Sequence, residues 1–173
     1  MPEIIKVYSQ IMPKTRFIGK RYLPEDRING SYSSKWDEWF EHGWFSCIEN
    51  MYKGNLTDFF ADSDAYIGLI CVKPEERSEY WIGMFLPEGT EVPEGFSYVD
   101  FPESKLAVVW VKGNIPAIYS MVEACIKQIN MEGFTFEPNE KGEFWYFERY
   151  NCPRFTSPNE NGEVILDICL FVK

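Results

Sequence analysis

The sequence predicts an α+β fold: tandem β-α-β-β modules forming one antiparallel sheet, with two helices on one face and a ligand cleft between them. Three observations lead there. Short runs rich in β-branched and aromatic residues recur along the chain. Two stretches instead carry apolar residues at three- and four-residue steps. The order of elements also repeats: strands, one amphipathic helix, then two strands with a polar connection. The groove between two helices on one sheet is a natural ligand site.

Each element has its own signal. Ile4 to Met12 alternates in part and reads as a strand. Pro13 interrupts it, and extended character resumes from Arg16 to Tyr22. Asn29-Gly30-Ser31 is a turn leading into a helix from Ser33 to about Lys53, with Trp36, Trp39, Phe40, Trp44, Cys47, Ile48 and Met51 at helical spacing. Gly43 sits inside that run, and Gly54-Asn55 ends it. Ala65 to Val72 and Tyr80 to Leu86 form a hairpin around the charged loop Lys73 to Glu79, a solvated turn. Phe96 to Phe101 and Leu106 to Lys112 are a second strand pair. Pro116 suits the first turn of a helix whose stripe is Ile118, Val122, Cys125, Ile126 and Ile129, running to about Met131. Phe144 to Tyr150 and Val164 to Val172 are the last strands.

The 173 residues fit a single domain, 1–173, with modules of roughly 1–90 and 91–173. A chain of this length buries a real core without disulfides or metal. Apolar residues are 45% of it and aromatics 17%, which excludes disorder. A net charge of −10 gains nothing from counterion release on a phosphate backbone, so neither nucleic acid nor an anionic membrane is the expected partner. Cationic ligands suit it better. The cysteines number 5, an odd count, widely spaced and without a C-x-x-C pair, which points to reduced, mostly buried thiols in a cytoplasmic protein. No secretory signal and no apolar run near membrane-span length is present.

Several motifs in order resemble a family: Arg16-Phe17-Ile18-Gly19-Lys20-Arg21-Tyr22, Tyr80-Trp81-Ile82-Gly83, Val92-Pro93-Glu94-Gly95, Phe147-Glu148-Arg149-Tyr150, and a terminal Leu170-Phe171-Val172-Lys173. Together they are similar to the gyrase-inhibitor-like (GyrI-like) small-molecule-binding family, whose module is also the effector-binding domain of multidrug-responsive transcription regulators. The resemblance runs from about residue 3 to the end. It implies a pseudo-twofold pair of β-α-β-β units and an aromatic cleft with a central glutamate that meets cationic or polar groups. Glu148 stands at the acid position and Tyr150 at the tyrosine of the Phe-Glu-x-Tyr motif. Residues 1–30 read as strand and are too short for the DNA-reading module of the regulators. Some stand-alone members look like hydrolases of cyclopropanoid natural products, others like protein inhibitors of DNA gyrase. Phe171 replaces a proline usual before the final valine.

Alternation along Phe144 to Tyr150 puts Phe144, Tyr146, Glu148 and Tyr150 on one face. A carboxylate among rings is poorly hydrated, so it binds a cation or serves as acid or base near neutral pH. Against this stands an ordinary surface glutamate on an exposed sheet face, or one paired with a Lys or Arg. Six Trp and ten Tyr supply flat faces with polar tips for drug-like molecules and cations, although most such rings are core. The ligand-binding candidates are Glu148, Tyr66, Tyr80, Trp110, Tyr146, Tyr150 and Trp39. In an enzyme, Glu148 is the catalytic base and Tyr150 the donor. His42 is the single histidine, a helix residue with no triad partner. No metal-ligand spacing and no phosphate loop is present, so no cofactor is expected.

Overall fold

All eight expected strands form. A computed structural model, describing residues 1–173, places β1 at Glu3–Met12, β2 at Thr15–Tyr22, β3 at Tyr66–Val72, β4 at Glu79–Pro87, β5 at Ser97–Phe101, β6 at Ser104–Gly113, β7 at Phe144–Tyr150 and β8 at Val164–Val172. Helices α1 (Ser33–Glu41), α2 (Trp44–Glu49) and α3 (Val122–Met131) complete the chain. No helix is long and apolar enough to cross a membrane.

The helices depart from expectation in two places. The first is broken in two, because Gly43 takes φ +66 and ends the α1 ladder. The second starts later. A 3-10 turn covers Ala117–Ser120 before α3 begins at Val122.

The strands make one antiparallel sheet in the order β1-β6-β8-β7-β3-β4-β2-β5. About the central β7–β3 pair both halves have the same order, β7-β8-β6-β1 and β3-β4-β2-β5, which gives the pseudo-twofold symmetry. The halves are not the segments 1–90 and 91–173. β1 pairs with β6 rather than β2, and β5 with β2 rather than β6, so the two modules exchange their first strands. The links explain why. Pro13-Lys14 and Pro102-Glu103 carry no residue suited to the left-handed backbone of a two-residue hairpin turn.

The sheet curls strongly. In a flat sheet β5 and β8 lie five strand spacings apart, about 24 Å. Yet Phe101 of β5 stacks on Phe171 of β8 at 5.0 Å between ring centroids. The concave side thereby closes on itself around Phe17, Leu69, Phe85, Val108, Phe147 and Cys169. The convex side carries the helices. α1 and α2 cover Ile18, Ile82, Met84 and Leu86, while α3 covers Val109, Val111, Leu166, Ile168 and Leu170.

Candidate functional site

Glu148 sits on β7 at the junction of the halves, paired in register with Gly68 of β3. Strand alternation sends Glu148 to the convex side and its neighbour Arg149 to the concave side. The cation next to it in sequence therefore cannot neutralise it. No Lys or Arg lies within ion-pair distance of Glu148 anywhere.

Two phenols take the place of a cation. Tyr150 donates to Glu148 Oε1 at 3.1 Å and Tyr80 donates to the same oxygen at 3.3 Å. Trp36 Nε1 of α1 donates in turn to the Tyr80 oxygen at 2.9 Å, so each bond polarises the next. Tyr32 stacks on Tyr80 at 4.3 Å, and Trp36 meets Tyr150 edge-on at 4.9 Å. Oε2 has no protein partner. Gly68 makes the arrangement possible. A Cβ there would lie 2.6 Å from the Tyr80 hydroxyl and 2.9 Å from Glu148 Oε1.

Burial pushes the Glu148 carboxyl up from 4.5 to about 7, and the two tyrosine hydrogen bonds oppose the rise without cancelling it. Burial and the charge of Glu148 hold the Tyr80 and Tyr150 phenols well above their usual range, so both stay protonated as donors. No group of acids, His and Cys is arranged to hold a metal ion.

Above this cluster lies a groove of about 340 Å³ between α1 and the Ala117–Ser120 turn. Trp36, Phe40, Tyr66, Tyr119, Tyr150 and Phe155 supply its apolar lining. Phe40 is 60% exposed and Tyr119 38%, so the rim presents apolar surface to solvent. Tyr150 serves both levels: its ring lines the groove and its hydroxyl holds Glu148.

The structure brings together only some of the candidates from sequence. Glu148, Tyr80 and Tyr150 converge, and Tyr66 walls the groove. Tyr146 shares the face of Glu148 but packs into the cluster beneath α3. Trp110 is a correction. It lies on the concave side beside Tyr8, under the Arg154 guanidinium at 4.5 Å, with the sheet between it and Glu148. Trp39 is another. It is fully buried in the core under α1 and donates Nε1 to Tyr22 at 3.0 Å. Trp36, three residues earlier, is the indole that reaches the site. Tyr119 and Phe155 were missed because irregular segments carry no periodicity to orient their side chains. His42 caps the end of α1 and stacks on Trp44, away from the site.

The family profile described as integron-associated effector binding protein matches residues 25–169. The chain belongs to that family. Its fold agrees with the gyrase-inhibitor-like resemblance of the motifs. A search of curated proteins finds no match. Solved structures match over nearly the full length. A putative bacterial transcription regulation protein from Staphylococcus aureus MU50 shares 16% identity, with 98% of this chain and 99% of that one covered and a TM-score of 0.61. SAV2435 bound to tetraphenylphosphonium shares 14%, covering 98% and 94%, at 0.63. A hydrolase from Listeria innocua shares 13%, covering 97% and 92%, at 0.53. At such identities the likeness establishes the fold of this effector-binding protein and nothing finer.

Proposed function

We propose that the protein captures hydrophobic, aromatic or cationic small molecules in the groove between α1 and the Ala117–Ser120 turn, with Glu148 as the electrostatic centre. The observation that carries this reading is a half-buried carboxylate that has two phenol donors, one oxygen without a protein partner and no counter-cation. A lipophilic cation supplies what the site lacks. Its charge meets Glu148 without a costly shell of water, and its apolar body covers Trp36, Tyr119 and Tyr150. The tetraphenylphosphonium bound to SAV2435 is a ligand of this kind.

The test is a fluorescence titration with tetraphenylphosphonium. Trp36 lines the groove, so binding should quench indole emission saturably at one ligand per chain, and Trp36→Phe should lose most of the response. Unchanged emission together with an unchanged melting temperature would sink the binding reading.

A second reading is favoured by one specific feature, a carboxyl brought to about 7 beside two phenols. Hydrolytic opening of a strained ring fused to a conjugated ketone needs a base for water and a donor to the developing oxyanion. Glu148 Oε2 is free to accept the proton of water, and Tyr150 or Tyr80, on turning its hydroxyl away from Oε1, is the donor to the substrate oxygen. Incubation with a cyclopropanoid ketone, followed by mass spectrometry, separates the two. Turnover yields a product one water heavier in excess of protein, whereas stoichiometric retention leaves capture as the whole function.

A further inference from the structure

We infer that the aromatic groove continues into a second, polar compartment that takes the hydrogen-bonding ammonium end of an elongated ligand; this rests on the binding function proposed above. A cavity of about 350 Å³ is walled by Glu49, Asp64, Tyr66, Tyr150, Asn151 and Thr156, among others. It shares Tyr66, Tyr150 and Thr156 with the groove, so one molecule can occupy both.

Two features suit the compartment to a cation, and a third marks it as polar rather than as room for more apolar body. Glu49 and Asp64 both face it, and neither has a Lys, Arg or His within ion-pair distance. Glu49 Oε1 accepts from the Tyr66 hydroxyl at 2.9 Å, which leaves Oε2 unpaired and aligns the carboxylate along the shared wall. Asn151 is 5% exposed, and its Nδ2 is buried without a hydrogen-bond partner. An unpaired buried amide N–H is costly and needs an acceptor, which an ammonium does not offer; a water that accepts from both would satisfy it.

The walls are also held in place. Asp64 and Asn151 lie on two loops that meet through Arg154 Nη2 and Asp62 at 3.3 Å. Arg149, fixed from the opposite side of the sheet, reaches the same Asp62 at 3.4 Å. Backbone bonding ties Arg154 O to Ile165 N of β8 at 2.9 Å. Asp64 on its anchored loop and Glu49 at the end of α2, held by Tyr66, lose little freedom when an ammonium bridges them.

The ligand class that follows is an amphiphilic diamine: an aromatic body and one ammonium for the groove over Glu148, and a second, terminal ammonium for Glu49 and Asp64. Tetraphenylphosphonium has no N–H and serves as the reporter of the groove alone. The experiment compares N-benzylputrescine with N-pentylbenzylamine, which has the same shape but ends in a methyl group, by calorimetry on the full chain. The diamine should bind about tenfold tighter. Glu49→Gln, which keeps the acceptor for Tyr66, and the exposed Asp64→Asn should each shrink that ratio while tetraphenylphosphonium binds as before. A ratio near one in the parent protein, or a ratio that both variants leave intact, overturns the second compartment. Loss of tetraphenylphosphonium binding in the parent would instead remove the groove reading itself.

Discussion

Replacing Glu148 with glutamine is expected to weaken tetraphenylphosphonium binding at pH 8 by about 1–3 kcal/mol, the scale of one charge-assisted contact. The substitution keeps the shape and an acceptor for Tyr80 and Tyr150, so it isolates the charge. The pH dependence follows from the raised carboxyl. The folded protein holds the Glu148 proton up to about 7, whereas the unfolded chain releases it near 4.5. Folding therefore favours the protonated form, and its contribution to stability is complete below 4.5 and is lost as pH rises through about 7. Such a rise costs about 3 kcal/mol at full burial, and residual solvent access trims it to about 1–2 kcal/mol.

Two measurements follow from that sign. Glu148→Gln should be more stable than the parent at pH 8 and equal to it near pH 4.5, read from urea midpoints. Cation affinity of the parent should rise about tenfold between pH 6 and 8, as the ionised fraction climbs through a midpoint near 7, and the variant should show no such rise. A variant that loses stability at pH 8 would make Glu148 a structural partner and end its role as ligand anchor.

Asp167→Ala is expected to cost about 3–5 kcal/mol of folding stability, a large share of the ~5–15 kcal/mol that holds a typical domain together. Asp167 is 0% exposed and lies on the concave side. Its Oδ2 accepts from Arg149 Nε at 2.8 Å and its Oδ1 from Arg154 Nε at 2.8 Å. Arg149 is itself 1% exposed and also donates to Gln10 at 2.9 Å and to Tyr8 at 3.2 Å on β1. Removal of the carboxylate leaves a buried guanidinium with Asp62, at 3.4 Å, as its one remaining anionic partner. The loss is measured from urea unfolding of parent and variant at pH 7. A cost below about 1 kcal/mol would mean that water reaches the cluster and that the pairs behave as surface ones.

These two variants test the same dipeptide from its two sides. Glu148 and Arg149 are neighbours in sequence with opposite fates. The glutamate is left without a cation on the convex face, and the proposed binding function rests on that deficit. The arginine is fully paired on the concave face, where it ties β7 to β8 and β1. A surface pair between them would have produced neither.

Much of this was legible in the sequence because it depends on local periodicity. Period-two alternation alone set Tyr146, Glu148 and Tyr150 on one face, and the strand limits of β7 and β8 follow the apolar runs residue for residue. Tertiary packing decided the rest. Alternation says that Trp110 and Val109 point to opposite sides of β6, but not which side carries the helices; the curl of the sheet put Trp110 in the concave interior. Trp36 and Trp39 differ by about 300° around a helix, adjacent positions on one flank, so only the docking of α1 on β4 made one the hydrogen-bond donor to Tyr80 and the other core. Gly68 reads as an ordinary strand glycine until Glu148 and Tyr80 are seen to occupy the space its missing Cβ leaves. Sequence patterns report what each residue does relative to its neighbours along the chain. Which surfaces meet across the sheet is set by contacts between residues far apart in sequence, and the site at the β3–β7 junction is made of those contacts.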